Sequence, residues 1–484
     1  MPKRNVLWML AVVAVAVGTA WFMRRTPQAR HDRRVRPDAM VDAYNKIIEN
    51  HYPPVDPLEL KQNAVSGMAE ALDPQSIYVP YDKADAFRKR MKGRTRGTGM
   101  ILDLSDKGPV IGCVHPNSPA DNAGLTAGDI IVLVNSLPTF NMSLEQVNRH
   151  LSGDREGKVQ LRVIFARGSG PPRDVTLALD EYSVELVTGL YRDADRGWAY
   201  TVDRDEGLAY IRVSEFVVRS SSTSGTVEQF KRAFRRPSLV RGLVLDLRGN
   251  PGGELAEAVA LSDLFLNDEP IVTVLGNGTR KPYGAHAEGT YPEIPLVVLI
   301  DSDTASAAEI VAGALSHADR AILVGSPSRG KHSVQTPLLL EGKLGLLHLT
   351  TARFFFPQDL PETDTRPAPN TLPPSAGKPI GPHVLIPADP DKNRQLQVLR
   401  WRAASVPPTP TTLPASQPAT SPGATIGQEL IRHDAQLAAA VELLKNPARI
   451  RETLQACAEA RKRKKRPGPL PTTRPASGGA RVGP

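Results

Sequence analysis

The chain has 484 residues, 40% apolar, 5% aromatic and 23% charged, and its 60 Lys and Arg against 51 Asp and Glu give a net charge of +9. That length suffices for two or three domains with substantial cores, and the composition is that of a globular protein with disordered attachments. Two cysteines, Cys113 and Cys457, exclude a disulfide framework, and the positive charge gathers in residues 24–36 and 461–466 rather than on one face, so no nucleic-acid footprint is read.

Residues 6–23 form an apolar stretch just long enough to span a bilayer, flanked by Lys3-Arg4 and Arg24-Arg25. With no small-residue cleavage site evident, it reads as an uncleaved signal anchor, a cleaved signal peptide being the alternative. The downstream arginines outnumber the charges before the stretch, so the positive-inside rule alone would leave the rest of the chain in the cytoplasm.

Further along, residues 96–102 (RGTGMIL) have the form of a glycine loop followed by a strand. Amides of Thr98, Gly99 and Met100 would make a nest for a terminal carboxylate, and from Ile101 onward a peptide could pair as an added strand. Pro119-Ala120, the run Ala123-Gly124-Leu125 and Gly128-Asp129 precede a strand over 130–134, and residues 143–151 (SLEQVNRHL) read as a capped helix that would close the groove.

In the second half, an apolar strand over 242–245 ends in Pro251-Gly252-Gly253, and a helix opens near Glu254 with Ala256, Val259, Ala260 and Leu261 on one face. Residues 296–300 are a fully buried strand by length and β-branching, and Ile310, Val311, Ala314 and Leu315 fall at helical spacing after it. Ser306 sits where strand turns into helix, its hydroxyl exposed beside the unpaired first amides of that helix. Lys331 follows a second apolar strand, 321–324, and the turn glycines Gly325 and Gly330. Twenty-five residues thus separate a serine and a lysine that each occupy a segment suited to a catalytic group. A lysine acts as a base only if burial or a cationic neighbour lowers its pKa to roughly 7–8. Pro- and Thr-rich residues 358–379 and 406–422 read as flexible loops, and 461–484 as a basic disordered tail. The sequence holds no P-loop, dinucleotide fingerprint or zinc-ligand set, which leaves hydrolysis without metal or cofactor as the economical reading.

The texts TASAAEIVAGAL and GKHSVQ around Ser306 and Lys331 resemble the signature of the carboxyl-terminal processing, or tail-specific, proteases, SASASEIVAGAL followed by GKGSVQ, with the serine-to-lysine interval kept. Residues 45–78 resemble that family's helical lead-in with its LDP-x-S turn at 72–76, residues 97–180 a PDZ domain, 207–216 its GYIRI-x-x-F strand, 241–253 its DLRGNPGG loop, and 433–444 its closing helix. The resemblance implies Ser306 as nucleophile, Lys331 as general base, Gln335 as the residue that orients the lysine, and the amides of Gly252 and Ala307 as an oxyanion hole. It also implies an extracytoplasmic catalytic part, against the charge rule. The expected architecture is a multidomain α/β peptidase: anchor and basic flank (1–36), helical lead-in (37–93), PDZ domain (94–182), α/β core (183–357), its C-terminal part with Pro-rich insertions (358–460) and the tail (461–484). Its expected partners are protein or peptide substrates with free C-termini, and the membrane through the anchor. The long insertions depart from the family pattern, as does His332, which stands where the family has glycine. An imidazole there could crowd or assist the base. Two rival readings therefore stand beside the Ser-Lys peptidase: a catalytically silent scaffold that binds chain ends, and a serine hydrolase using His332 or His317.

Overall fold

The computed structural model describes residues 38–91, 94–152, 157–166, 170–193, 197–219, 224–287, 291, 293–361, 377–405 and 422–465. The candidate anchor, most of both Pro-rich segments and the end of the basic tail lie outside the described residues; among those described, no helix is long and apolar enough to cross a membrane. The chain divides into residues 1–71 and 72–484. In the first unit the helices Asp38–Asn50 and Pro57–Glu70 are described, the second capped by Asp56, whose carboxylate accepts from the Leu58 and Glu59 amides.

In the second unit a β-rich domain comes first. Its sheet runs in the order Met100–Ser105, Gly108–Val114, Ile130–Val134, Lys158–Ile164, Arg173–Ala178, so Met100–Ser105 is an edge strand. Strict alternation along Lys158–Ile164 sends Val159, Leu161 and Val163 into the core with Ile131, Val134, Leu125 and Val147. Val147 belongs to the helix Leu144–His150, which starts on a capping box between Ser143 and Gln146.

The larger domain is built on a sheet in the order Val187–Thr188, Leu208–Val213, Gly242–Asp246, Leu296–Ile300, Ile322–Gly325, Val384–Leu385, parallel from the second strand onward. Every residue of Gly242–Asp246 and Leu296–Ile300 is buried because helices cover both faces. Leu243, Leu245, Val298 and Ile300 pack on one side under Leu255–Asp263 and Ala307–His317, while Val244, Val297 and Leu299 pack on the other under Ala435–Lys445. A second, antiparallel sheet places Ile77–Pro80 and Ser333–Leu340 on either flank of the long strand Gly345–Phe355.

Some expected details shift. The buried face of Leu255–Asp263 is Ala258, Leu261 and Ser262, with Ala256 exposed, because a helix this rich in small apolar residues does not fix its own phase and the packing against Ala307–His317 does. Residues 461–465 belong to the helix Pro447–Lys465 rather than to the tail, as the high helix propensity of Arg, Lys and Ala allows. The far end of the first Pro-rich segment is anchored: Ile380 N–H donates to Ser328 Oγ at 2.7 Å and Gly377 packs on Gly330.

A buried ionic network joins the central strand to the closing helix. Arg248 donates to both oxygens of Asp246 (2.9 and 2.6 Å), to Asp434 Oδ1 (2.8 Å) and to Gln436 Oε1 (2.9 Å), while Tyr210 donates to Asp246 and Arg400 to Asp434. Asp434 also caps Ala435–Lys445 through the Leu437 amide. Burial opposes ionisation of Asp246, but Arg248, Arg212 and Arg400 outweigh it and hold its carboxyl far below the usual range. Removing one member of such a set leaves the others charged and unpaired. Asp434→Ala should therefore lower stability by about 3–5 kcal/mol, read as a drop in the denaturant midpoint; a shift below about 1 kcal/mol would show the network to be dispensable.

Candidate active site

Ser306 lies at the carboxyl end of the strand Leu296–Ile300, beside the loop that leaves the neighbouring strand Gly242–Asp246. In parallel sheets such ends are where ligands bind. The two loops are tied together: Asp301 Oδ1 accepts from the Gly249 amide (2.9 Å), Thr304 Oγ1 donates to Leu247 O (3.0 Å) and the Ala305 amide donates to Asn250 O (2.9 Å). An N-cap serine has extended φ/ψ. Ser306 instead has φ 53° and ψ −117°, a strained left-handed conformation at the strand-to-helix turn that suits a nucleophile held out from the backbone.

The strain is held by a residue the sequence did not single out. Glu309, fully buried in the first turn of Ala307–His317, accepts from the Ser306 amide (2.8 Å) and the Lys331 amide (2.8 Å) on Oε2, and from the Gly330 amide (2.6 Å) and Ser328 hydroxyl (2.6 Å) on Oε1. Burial pushes its pKa up, and these four donors only partly offset that. One carboxylate thus fixes the backbone of both the serine and the lysine. A glutamate three residues after a helix start looks like an ordinary capping partner; its reach to residues 328–331 is a tertiary fact.

Lys331 is half-buried, and burial, followed by the Arg329 guanidinium, lowers its pKa against the pull of Glu309 and Asp73. It lines a cavity of about 270 Å³ with Ser306, Ala307, Gly253, Gln335 and His348. The Gln335 side-chain amide donates to Ser333 Oγ (2.8 Å) and Thr350 Oγ1 (3.1 Å). Thr350 Oγ1 in turn donates to Asp73 Oδ1 (3.1 Å), whose carboxyl also takes the Gln75 and Ser76 amides and the Ser76 hydroxyl. The turn at residues 72–76 is therefore a brace for Gln335.

His332 is not among the residues that line this cavity. Its ring is buried between Phe354 and Phe356, with Nδ1 accepting from the Gly377 amide at 3.2 Å, and burial plus the charge of Arg353 lowers its pKa to about 4. His317 occupies the far end of the helix that Ser306 starts, about 16 Å along the axis at ~1.5 Å per residue. Neither reading that relied on a histidine keeps its physical basis.

On the opposite wall, a Cβ on Gly252 would meet Ser306 Cβ at 2.7 Å and Ala307 N at 2.9 Å, and φ is +106°, so only glycine lets the loop approach this closely. The amide expected as a donor is engaged, however. The Gly252 N–H is taken by Asn250 Oδ1 at 2.8 Å, because Asn250 folds back over the turn while its amide group holds Val213 O. Gly253 lines the cavity beside Ala307, and the bridge to Phe216 uses Gly252 O and Glu254 N, leaving the Gly253 N–H out of it.

In the β-rich domain Thr98 and Gly99 are buried at the start of the edge strand Met100–Ser105. Gly99 has φ +82° and sits against Ser118, where a Cβ would collide at 2.1 Å. The Thr98 and Gly99 carbonyls hold the Ala120 and His115 amides, and the Met100 amide makes a long bond to Thr98 Oγ1. Ile101 does not face the domain core: it lines a second cavity with Cys113, Arg192 and Trp401. Cys113 and Cys457 are both free thiols, and among the described residues no group of three or more His, Cys, Asp or Glu is placed to hold a metal ion.

Comparison with known proteins bears on the two domains and the family. A family model described as peptidase family S41 matches residues 207–367, and one described as a PDZ domain matches residues 110–164. The chain is 32% identical over 321 residues to a carboxy-terminal-processing protease of Bartonella bacilliformis, covering 65% of this chain and 70% of that one. It is 29% identical over 302 residues to carboxy-terminal processing protease CtpA of Bacillus subtilis (62% and 61% covered), and 31% identical over 270 residues to a carboxyl-terminal-processing protease of Synechocystis (55% and 60% covered). The chain thus spans less than two thirds of the latter two.

Since Glu309 sets two backbones at once, Glu309→Gln, which keeps size but gives up the charge and some of its acceptor capacity, should cut turnover on the order of 10²-fold while circular dichroism stays native. Unchanged turnover would mean that Ser306 and Lys331 are placed by other contacts.

Proposed function

The chain belongs to the carboxy-terminal processing proteases of peptidase family S41, serine-type peptidases, and we propose that its chemistry runs through Ser306 and Lys331. The observation that carries this reading is the Glu309 carboxylate, which takes both the Ser306 and the Lys331 amides and so holds nucleophile and base at one cavity. Lys331 in its neutral form accepts the proton from the Ser306 hydroxyl as Oγ attacks the scissile carbonyl, then returns it to the leaving amine. The oxyanion is met by the Ala307 amide and, in place of Gly252, by the amide of Gly253. Water then hydrolyses the acyl-enzyme, with Lys331 again the base. Gln335, braced through Thr350 and Asp73, keeps its carbonyl oxygen for the lysine ammonium.

The PDZ domain delivers the substrate. A free C-terminus enters beside Thr98, Gly99 and Met100, and its last residues add to the open edge of Met100–Ser105. Residues 6–23 anchor the chain in a membrane with the catalytic part on the extracytoplasmic side.

Ser306→Ala and Lys331→Ala should each lower kcat on the order of 10⁴-fold or more on a tailed peptide, because nucleophile and base act as one unit; near-normal turnover by either folded variant would sink the dyad. The base works only deprotonated, so the rate should rise with pH through the Lys331 pKa, which lies below its usual 10.5, to an alkaline plateau. An optimum in the acid range is incompatible with it.

Amidating a peptide's C-terminus removes the charge that the nest takes and adds donors where acceptors are needed. It should weaken binding to the full Ser306→Ala chain, measured by calorimetric titration. Equal affinities would remove chain-end recognition from this domain.

A further inference from the structure

Two carboxylates in the catalytic cavity have no part in the chemistry above. Glu215 is half-buried just past the strand Leu208–Val213, and Glu254 immediately precedes the helix Leu255–Asp263. The bridge between Phe216 and Gly253 sets their two segments side by side, and both line the cavity that holds Ser306.

Among the described residues neither carboxylate has a hydrogen-bond or ion-pair partner. Other acids withdrawn from solvent in this unit are occupied: Glu309 by four donors, Asp246 and Asp434 by Arg248, and Glu257 by the Val227 amide at 2.8 Å. The helix N-terminus accounts for a negative charge at Glu254. Glu215 has no such reason. Burial pushes its pKa up, opposed among the described residues by the charge of Arg90, at the end of the helix Tyr81–Met91. Nor do the two glutamates tune the base, since the charges that bear on Lys331 are those of Arg329, Glu309 and Asp73.

The remaining wall is largely apolar, with Met91, Leu255, Ile310, Val334 and Phe354. A peptide seated there expels water, and an unpaired carboxylate stripped of water is costly unless the peptide brings a donor. A lysine or arginine side chain supplies a charge-assisted bond, and its aliphatic stem lies on the apolar wall.

We propose that Glu215, with Glu254 beside it, forms a subsite that selects substrates carrying a lysine or arginine close to the scissile bond. The proposal rests on the reading of this cavity as the peptidase site.

The test uses full-length protein and peptides of one sequence in which lysine is walked through the three positions on each side of the cleaved bond. Each is matched by a peptide with norleucine, an uncharged side chain of similar length, at the same place. At one position lysine should raise kcat/KM about tenfold over norleucine, equivalent to ~1.4 kcal/mol. Glu215→Gln should bring that ratio to about twofold or less, and Glu254→Gln should lower it in part. The comparison is internal to each variant, so a general loss of activity does not blur it.

Fluorescence anisotropy on the Ser306→Ala chain should show the same lysine preference in binding. Because binding needs no nucleophile, a preference seen there without hydrolysis by the unmutated chain would support the subsite and overturn the assignment of Ser306 and Lys331 instead. Equal values for every lysine and norleucine pair, or a preference that survives Glu215→Gln, would overturn the subsite.

Discussion

The catalytic half of this protein depends on one buried carboxylate. Glu309 is withdrawn from water in the first turn of its helix, where an unpaired charge would be prohibitive, and the structure meets that cost with two backbone amides and a hydroxyl from residues 328–331 and the amide of Ser306. The bonds run in both directions of cause. The loop after Ile322–Gly325 makes Glu309 tolerable, and Glu309 fixes where that loop places Lys331. A strained serine persists only if its surroundings over-determine it, and the same carboxylate supplies the bond to its amide.

A second buried charge set acts on the other wall. Arg248 opens the glycine loop, and its ties to Asp246, Asp434 and Gln436 attach that loop to a helix almost two hundred residues later in the chain. Closing so long a loop gives the charge set little compensation in local order, so it is better read as specifying position than as adding stability. What it positions is the turn Asn250 to Gly253. Asn250 fixes that turn by holding Val213 O with its amide and the Gly252 N–H with its oxygen.

Much of this was legible in the sequence, for reasons that follow the physics. The strands 242–245 and 296–300 are buried on both faces, which writes them as continuous apolar runs, and the structure extends the first only to Asp246. Ser306, Lys331 and Gln335 share segments whose local text is distinctive, and they do line one cavity. Glu309 was missed because its local signal, an acid at the third position of a helix, is the same whether it caps a surface helix or clamps a second loop. Adjacency of His332 in sequence to Lys331 says nothing of direction: both lie in the loop ahead of the strand Ser333–Leu340, and the imidazole packs on Phe354 and Phe356. The Gly252 amide is engaged for a similar reason, since a Pro-Gly-Gly turn does not reveal which amide its neighbouring asparagine will occupy.

The lysine's protonation state sets a final constraint that ties the remote turn at residues 72–76 to the chemistry. A base must be neutral to accept a proton, yet Glu309 and Asp73 both favour the ammonium. Burial works against Asp73 ionising, but its bonds from Ser76, Gln75 and Thr350 prevail and keep it charged, below the usual carboxylate range. Half-burial of Lys331 and the charge of Arg329 outweigh the pull of these two carboxyl groups. The two anions also have a use. In the proposed dyad, once Lys331 takes the proton from Ser306 the same carboxylates would stabilise the ammonium, and the Gln335 amide, which donates to Thr350, would face it as an acceptor. A base tuned low by desolvation alone would bind its proton weakly at every stage. One poised between burial and fixed anions, as the proposed dyad requires, would give up its proton more readily before attack and be supported after it, and the turn, the clamp and the strand Ser333–Leu340 all bear on that balance.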